Sequence, residues 1–227
     1  MKIRIISDIH GKIDQYSNLL LSCKDSIDGS IQIGDFGFSD DYDTRNAIFE
    51  DFGIDKSSHL FFPGNHDDYD SLPDFNMGDF GETPFDPNTF FIRGALSIDK
   101  RNRTEHVDWW REEELNVMQM KECQRLYQES KPRIVLTHDG PDTACRNLFP
   151  GMNRYVTQTG KFLDQLFQDH KPDVWVFGHW HRNKDMVVGG TRFICLEELA
   201  HLDIEYYYDH HDSDNDSSTD FTIQINT

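Results

Sequence analysis

Five short blocks rich in Asp, Asn and His stand out along the chain: Asp8-Ile9-His10, Gly34-Asp35, Gly64-Asn65-His66-Asp67, His138-Asp139-Gly140 and Gly178-His179-Trp180-His181. Carboxylate, amide oxygen and imidazole together suit borderline divalent cations of the first transition row. No cysteine joins the blocks, which argues against a structural zinc finger. A carboxylate such as Asp35 could bridge two ions roughly 3.5–4 Å apart. The blocks differ in specificity. D-x-H is expected about once by chance in a chain this rich in Asp, and Asp209-His210-His211 is a second, decoy match. G-N-H and G-H-x-H are each expected by chance well under about 0.1 times. A histidine at a strand end is usually a half-buried polar residue and nothing more. That bland account would have to hold separately for His10, His66, His138, His179 and His181, five of the eleven histidines.

Each block directly follows a strand-like run. Residues 2–7 (KIRIIS), 30–33, 59–62 and 133–137 read as strands, as does Val174–Phe177, and the last two are continuous apolar runs of the buried central kind. Helical spacing lies between them: Ile13, Tyr16, Leu20 and Cys23; residues 43–52; and Phe162, Leu163, Leu166, Phe167 and His170. The longest helical run is 112–130, with Leu115, Met118, Glu122 and Leu126 tracing its face, Asp108 as a candidate N-cap and Pro132 as the stop. Strand–helix alternation predicts a mostly parallel sheet covered by helices. Residues 185–188, 191–196 and 204–208 then read as consecutive strands, with Gly189-Gly190 as a hairpin turn and Phe221, Ile223 and Ile225 alternating in one more. Residues 209–220 read as an acidic flexible loop. Without an internal repeat or linker, residues 1–227 read as one domain. In an open α/β sheet, ligands bind beyond the carboxyl ends of the strands, so the five blocks are expected to converge there.

The chain has 227 residues, with 22 Lys and Arg against 41 Asp and Glu, a formal charge of −19. Such a chain repels phosphate backbones, so stable binding to nucleic acid or an anionic membrane is not expected. No apolar stretch approaches a membrane span, and residues 1–7 do not read as a signal peptide. Cys23, Cys123, Cys145 and Cys195 form no C-x-x-C pair and read as free thiols of a reducing compartment. The expected location is cytoplasmic: a bacterial cell, or its host's cytoplasm for a phage-encoded chain.

In this order, D-x-H, G-D, G-N-H-D, H and G-H-x-H resemble the signature of the calcineurin-like metallophosphoesterases, across residues 8–181. The resemblance implies a four-layer α-β-β-α sandwich of two mostly mixed sheets, with a metal site at the C-terminal ends of the strands. It implies that Asp8, His10 and His181 hold one ion, that Asn65, His138 and His179 hold the other, and that Asp35 bridges them. Mn²⁺ is the first candidate, followed by Fe, Zn²⁺, Ni²⁺, Co²⁺ and Mg²⁺. Such a pair hydrolyses phosphate esters with a water or hydroxide shared by both cations. His66, which the resemblance leaves off the metals, is the natural general acid, with Asp67 expected to orient it and hold it protonated.

The chain also departs from the serine/threonine phosphatase branch. That branch carries Asp-Arg-Gly after its G-D block and an Arg before its G-N-H. Here Phe36-Gly37-Phe38 follows Asp35, and Phe62-Pro63 precedes Gly64. Both phosphate clamps are missing, which favours a small phosphodiester or phosphomonoester over a phosphoprotein. Residues 92–115 resemble a stretch of bacterial and phage-encoded members. In it, Arg101, Arg103, Trp109 and Trp110 form a cationic and aromatic group able to grip a phosphate and stack a base. Tyr69 is a weaker contact candidate. The rival readings are a catalytically silent scaffold for protein binding, a nuclease and a protein phosphatase.

Overall fold

The run Val174–Phe177 is apolar at every position because both of its faces are covered. A computed structural model describes residues 1–152, 155–208 and 221–226. In it this run is strand β7. Val174 and Val176 point into one apolar cluster, and Trp175 and Phe177 into another. The same alternation splits β6 (Ile134–Thr137): Ile134 and Leu136 face the first cluster and Val135 the second.

Two mixed sheets share the first cluster. The five-stranded sheet has the order β11 (Phe221–Asn226), β10 (His201–Tyr208), β1 (Lys2–Ile6), β2 (Gly29–Gln32), β3 (His59–Phe61). Its last three strands run parallel, and β10 runs antiparallel to both β1 and β11. The six-stranded sheet has the order β4 (Phe80–Glu82), β5 (Thr89–Ile92), β6, β7, β9 (Thr191–Cys195), β8 (Lys184–Val188). Its four inner strands are parallel, and the edge strands β4 and β8 are antiparallel to their neighbours. Ile3, Ile5, Ile31 and Ile204 meet Ile134, Leu136, Val174 and Val176 between the sheets.

Helices cover the outer faces. Tyr16 and Leu20 of α1 (Ile13–Leu21) and Phe49 of α2 (Ser39–Phe52) pack with Ile6 and Phe61. On the other side, α3 (Val117–Ser130), α4 (Asp142–Leu148) and α5 (Gln158–Asp169) bring Tyr127, Leu148 and Leu163 against Val135, Trp175 and Phe193. The result is the four-layer α-β-β-α sandwich that the motifs imply. All four cysteines are buried and free. Among the described residues, no helix is long and apolar enough to cross a membrane.

Several sequence expectations are corrected. The helix expected over 112–130 begins at Val117, because Asn116 closes a capping box there: its side chain accepts from Met118 N (2.9 Å) and Gln119 N (3.1 Å), and Gln119 reciprocates. Asp108 caps a different turn, accepting from Thr104 N. The buried stripe runs through Met120, Cys123 and Tyr127, and Met118 is 73% exposed. Strands β4 and β5 and helix α4 had no clear sequence signal. The expected acidic loop 209–220 lies outside the described residues.

Trp175 is the largest fully buried side chain and ties β7 to the helical layer. Trp175→Ala is expected to remove about 3–5 kcal/mol of stability in urea unfolding. A loss below about 1 kcal/mol would contradict this packing.

Candidate metal centre

Asp8 and His10 follow β1, Asp35 follows β2, and Asn65 and His66 follow β3, while His138 follows β6 and His179 and His181 follow β7. Parallel strands of both sheets therefore deliver their carboxyl ends to one seam. The chain must turn sharply there. Seven described residues other than Gly have left-handed backbone, and four of them are His10 (φ 45°), Asp35 (φ 58°), His179 (φ 65°) and His181 (φ 49°). Such conformations are costly for residues with a Cβ and cluster at functional sites. Two motif glycines serve close approach. A Cβ on Gly64 would lie 2.6 Å from His138 Nε2, and one on Gly178 would strike Ser7 and Asp8.

Asp67 organises this seam from beneath. Its fully buried carboxylate accepts from four backbone N–H groups, those of Asp35 (2.9 Å), Phe36 (2.7 Å), Gly37 (2.9 Å) and Gly64 (2.7 Å). One side chain thus locks the loops after β2 and β3 together. Burial and the neighbouring Asp35 charge push its carboxyl up to about 7, against the pull of the Gly37 and Gly64 N–H groups. The expected contact with His66 is not made, because the carboxylate is taken up by these backbone N–H groups.

The candidate ligands form two groups that share Asp35. Asp8, His10, Asp35 and His181 each offer an atom within 4.8 Å of the others, as do Asp35, His138 and His179. In the first group, His10 Nε2 lies 3.0 Å from His181 Nε2 and 3.7 Å from Asp35 Oδ2, and His181 Nε2 is 3.4 Å from Asp8 Oδ1. In the second, His138 Nε2 lies 3.2 Å from Asp35 Oδ1 and 3.2 Å from Asn65 Oδ1. The rings of His138 and His179 are 5.1 Å apart.

The donor set itself calls for cations. His138 Nδ1 lies 2.9 Å from the carbonyl oxygen of Ile33, an acceptor, so Nδ1 carries a proton. Nε2 is the atom that faces two oxygens, protonated in the charged ring and a lone pair once a cation replaces that proton. Burial disfavours charge on His138, yet Asp35 and Asp8 push it up to about 10. Burial alone would raise Asp35, but His138, His66 and His10 hold its carboxyl far below the usual carboxylate range. Asp8 is likewise lowered, burial being outweighed by His181 and His138. Without a cation the two buried carboxylates are answered by the charged rings of His138 and His181. The same nitrogens and oxygens converge as a divalent metal's ligands would, so the residues fit such ions.

Beside these groups lies a cleft of about 460 Å³, lined by His66, Arg103, Leu96, Ile98, Tyr155 and Trp180 among others. The His66 ring faces Arg103, with Nη1 2.8 Å from Nδ1. Burial pulls His66 down to about 4, opposed by Asp35 and reinforced by Arg103, so in the free protein it rests neutral rather than protonated. Of the expected substrate contacts, only Arg103 reaches this cleft. Arg101 is exposed and points elsewhere. Trp110 is buried, with its ring tilted against Phe38 at 6.0 Å, and donates its indole N–H to Asp70 (2.9 Å). Trp109 is half-buried under Lys100 and does not line the cleft. Tyr69 is turned inward, donating to Gly64 O (2.8 Å) and accepting from Arg93 (3.2 Å). Sequence reading missed Trp180, although it is the variable residue of G-H-x-H. Its indole donates to Asp139 Oδ1 (2.9 Å), and its ring stacks on Phe149 at 4.7 Å. Nothing in the sequence marks Ile98 or Tyr155.

Comparison with known proteins fits this arrangement. A family model described as calcineurin-like phosphoesterase matches residues 1–183. No curated protein sequence matches significantly. Among solved structures, the chain is similar to a dimetal phosphatase from Danio rerio at 12% identity, covering 90% of this chain and 92% of that one with a TM-score of 0.60. It is similar to the purple acid phosphatase PPD1 of yellow lupin seeds at 14% identity and a TM-score of 0.53, covering 90% of this chain and 49% of that one, so it spans about half that protein's length. It is also similar to GAP50, the anchor in the inner membrane complex of Plasmodium, at 12% identity and a TM-score of 0.50, covering 86% of this chain and 71% of that one. At such identities these likenesses establish the fold alone. The family match contains all five blocks, and on that ground the chain belongs to the calcineurin-like phosphoesterase family.

Proposed function

We propose that the chain is a two-metal hydrolase of phosphate esters. Asp8, His10 and His181 hold one ion, Asn65, His138 and His179 hold the other, and Asp35 lies between them. The observation that carries this reading is the pair of ligand groups sharing one buried carboxylate. When bound, two divalent cations supply Lewis acidity at the phosphoryl group and a nucleophile from water at neutral pH.

The protein's own residues do the rest. Arg103 is held by Asp99 (2.8 Å) and by the carbonyl of Asp108 (3.0 Å), which fixes its fork at the mouth of the cleft. It takes the place of the missing arginine clamps and grips the ester's phosphoryl oxygens. When its fork turns to the phosphate, His66 Nδ1 is free to take a proton from water, and the phosphate's charge favours the imidazolium. His66 then protonates the leaving alkoxide. Leu96, Ile98, Tyr155 and Trp180 present an apolar wall to the organic part of the ester, which suits a small or nucleotide-like alcohol. The net charge of −19 works against a nucleic-acid substrate. An anchor or scaffold would not need two inward-facing ligand groups beside an intact His66.

His66→Ala is expected to lower turnover by at least about 10²-fold on a diester with an alkyl leaving group, with two ions still bound. The loss should be smaller for a p-nitrophenyl ester, whose leaving group needs no proton. Equal activity of variant and wild type on the alkyl ester would remove His66 from the reaction. Arg103→Ala should reduce kcat/KM by roughly 10–100-fold, the worth of one charged hydrogen bond, without loss of metal. Unchanged kinetics would exclude Arg103 as the clamp. In elemental analysis, Asp35→Asn is expected to lose metal from both sites, and a fully retained pair would reject the bridge.

A further inference from the structure

Asn65 differs from the other candidate ligands in having two unlike ends. Its Oδ1 can bind a cation and its Nδ2 cannot. The side chain is buried, so something in the protein must decide which end faces His138. The segment between β5 and α3 lies against this block at several points. Gly94 N donates to Pro63 O (2.9 Å), and Arg93 reaches Gly64 through the Tyr69 hydroxyl. Next to Asn65 sits Ser97, 1% exposed, whose Oγ accepts from Asn65 Nδ2 at 3.1 Å. Ser97 N in turn donates to Glu113 Oε1 at 2.7 Å. Glu113 is itself 2% exposed, and its Oε2 is buried with no hydrogen-bond partner among the described residues.

We propose that Ser97 and Glu113 are positioning residues that orient the Asn65 amide, holding its oxygen towards His138 and the second metal. A serine hydroxyl can donate or accept, so Ser97 alone would tolerate either amide orientation. Glu113 removes that freedom. Its carboxylate accepts from Ser97 N, and an acceptor held that close favours turning the Ser97 hydroxyl proton towards itself. Ser97 Oγ then has only lone pairs to offer Asn65, which must present its NH₂. Burial pushes the Glu113 carboxyl up, and Ser97, through its N–H and its hydroxyl, and the Trp109 indole pull it back. This gives residues 92–115 a task that the sequence left open. It rests on Asn65 being a ligand of the second ion.

The test is Mn²⁺ titration by calorimetry, with Mn²⁺ alone as the probe. Ser97→Ala should weaken one of the two sites by roughly 10–100-fold, the usual effect of losing a partner behind a ligand, and leave the other within about 2-fold. Glu113→Gln should weaken the same site. In an Asn65→Asp background both terminal atoms are oxygens and no orientation remains to be chosen, so adding Ser97→Ala should change affinity by less than about 2-fold. Unchanged affinity in either single variant overturns the proposal. So does an equal loss in the Asn65→Asp background, which would mark a packing role. Separately, if Asn65→Ala keeps both ions at full affinity, the ligand assignment itself falls, and the proposal falls with it.

Discussion

Three carboxylates, Asp8, Asp35 and Asp67, are gathered out of reach of water where the two sheets meet. Each is tolerable only because something answers its charge, since an unpaired buried carboxylate is among the most costly groups a protein can hold. Asp67 is answered by the protein itself, through four backbone N–H donors. Asp8 receives the backbone N–H of His179, and Asp35 that of His66. Their remaining oxygens face the nitrogens of His138 and His181, whose added protons answer the charge when no cation is bound. Cations are the economical answer to that arrangement, and the layered fold serves to hold it.

This constraint explains features that look unrelated. Left-handed backbone at His10, Asp35, His179 and His181 turns side chains inward immediately after a strand ends. Glycines 64 and 178 leave room for His138 and Asp8. Asp67 couples the loop after β2 to the loop after β3, so the position of Asp35 is tied to that of Asn65. The segment between β5 and α3 closes the far side, through Ser97 on Asn65 and Arg103 on His66. Stability of the sandwich and geometry of the site are therefore one problem, solved at the strand ends.

Much of this was legible in the sequence, for physical reasons. The runs of β6 and β7 are apolar on both faces, so they announce central strands, and the blocks that follow them announce the site. The blocks could be expected to converge because each follows a strand end, and the family resemblance singled out the ligand candidates within them. Other parts were hidden. The three-residue strand β4 is too short to show a period, and the start of α3 was set by the Asn116 cap rather than by apolar spacing. Asp67 was misjudged because adjacency to His66 suggested a contact, whereas its carboxylate is taken up by four backbone N–H groups of the neighbouring loops. Trp110 and Tyr69 carried the right chemistry for a ligand contact, but their polar atoms are spent on Asp70, Gly64 and Arg93. Contacts such as that between Ser97 and Asn65 span 32 residues and leave no local trace.

The central claim is that the inward-facing donors around Asp35 hold a cation pair. Anomalous diffraction at the manganese edge from crystals grown with Mn²⁺ examines it directly. The account predicts two peaks roughly 3.5–4 Å apart, one beside Asp8, His10 and His181 and the other beside Asn65, His138 and His179, with Asp35 touching both. Density for no ion, or for a single ion that leaves either group of ligands bare at saturating Mn²⁺, would contradict it.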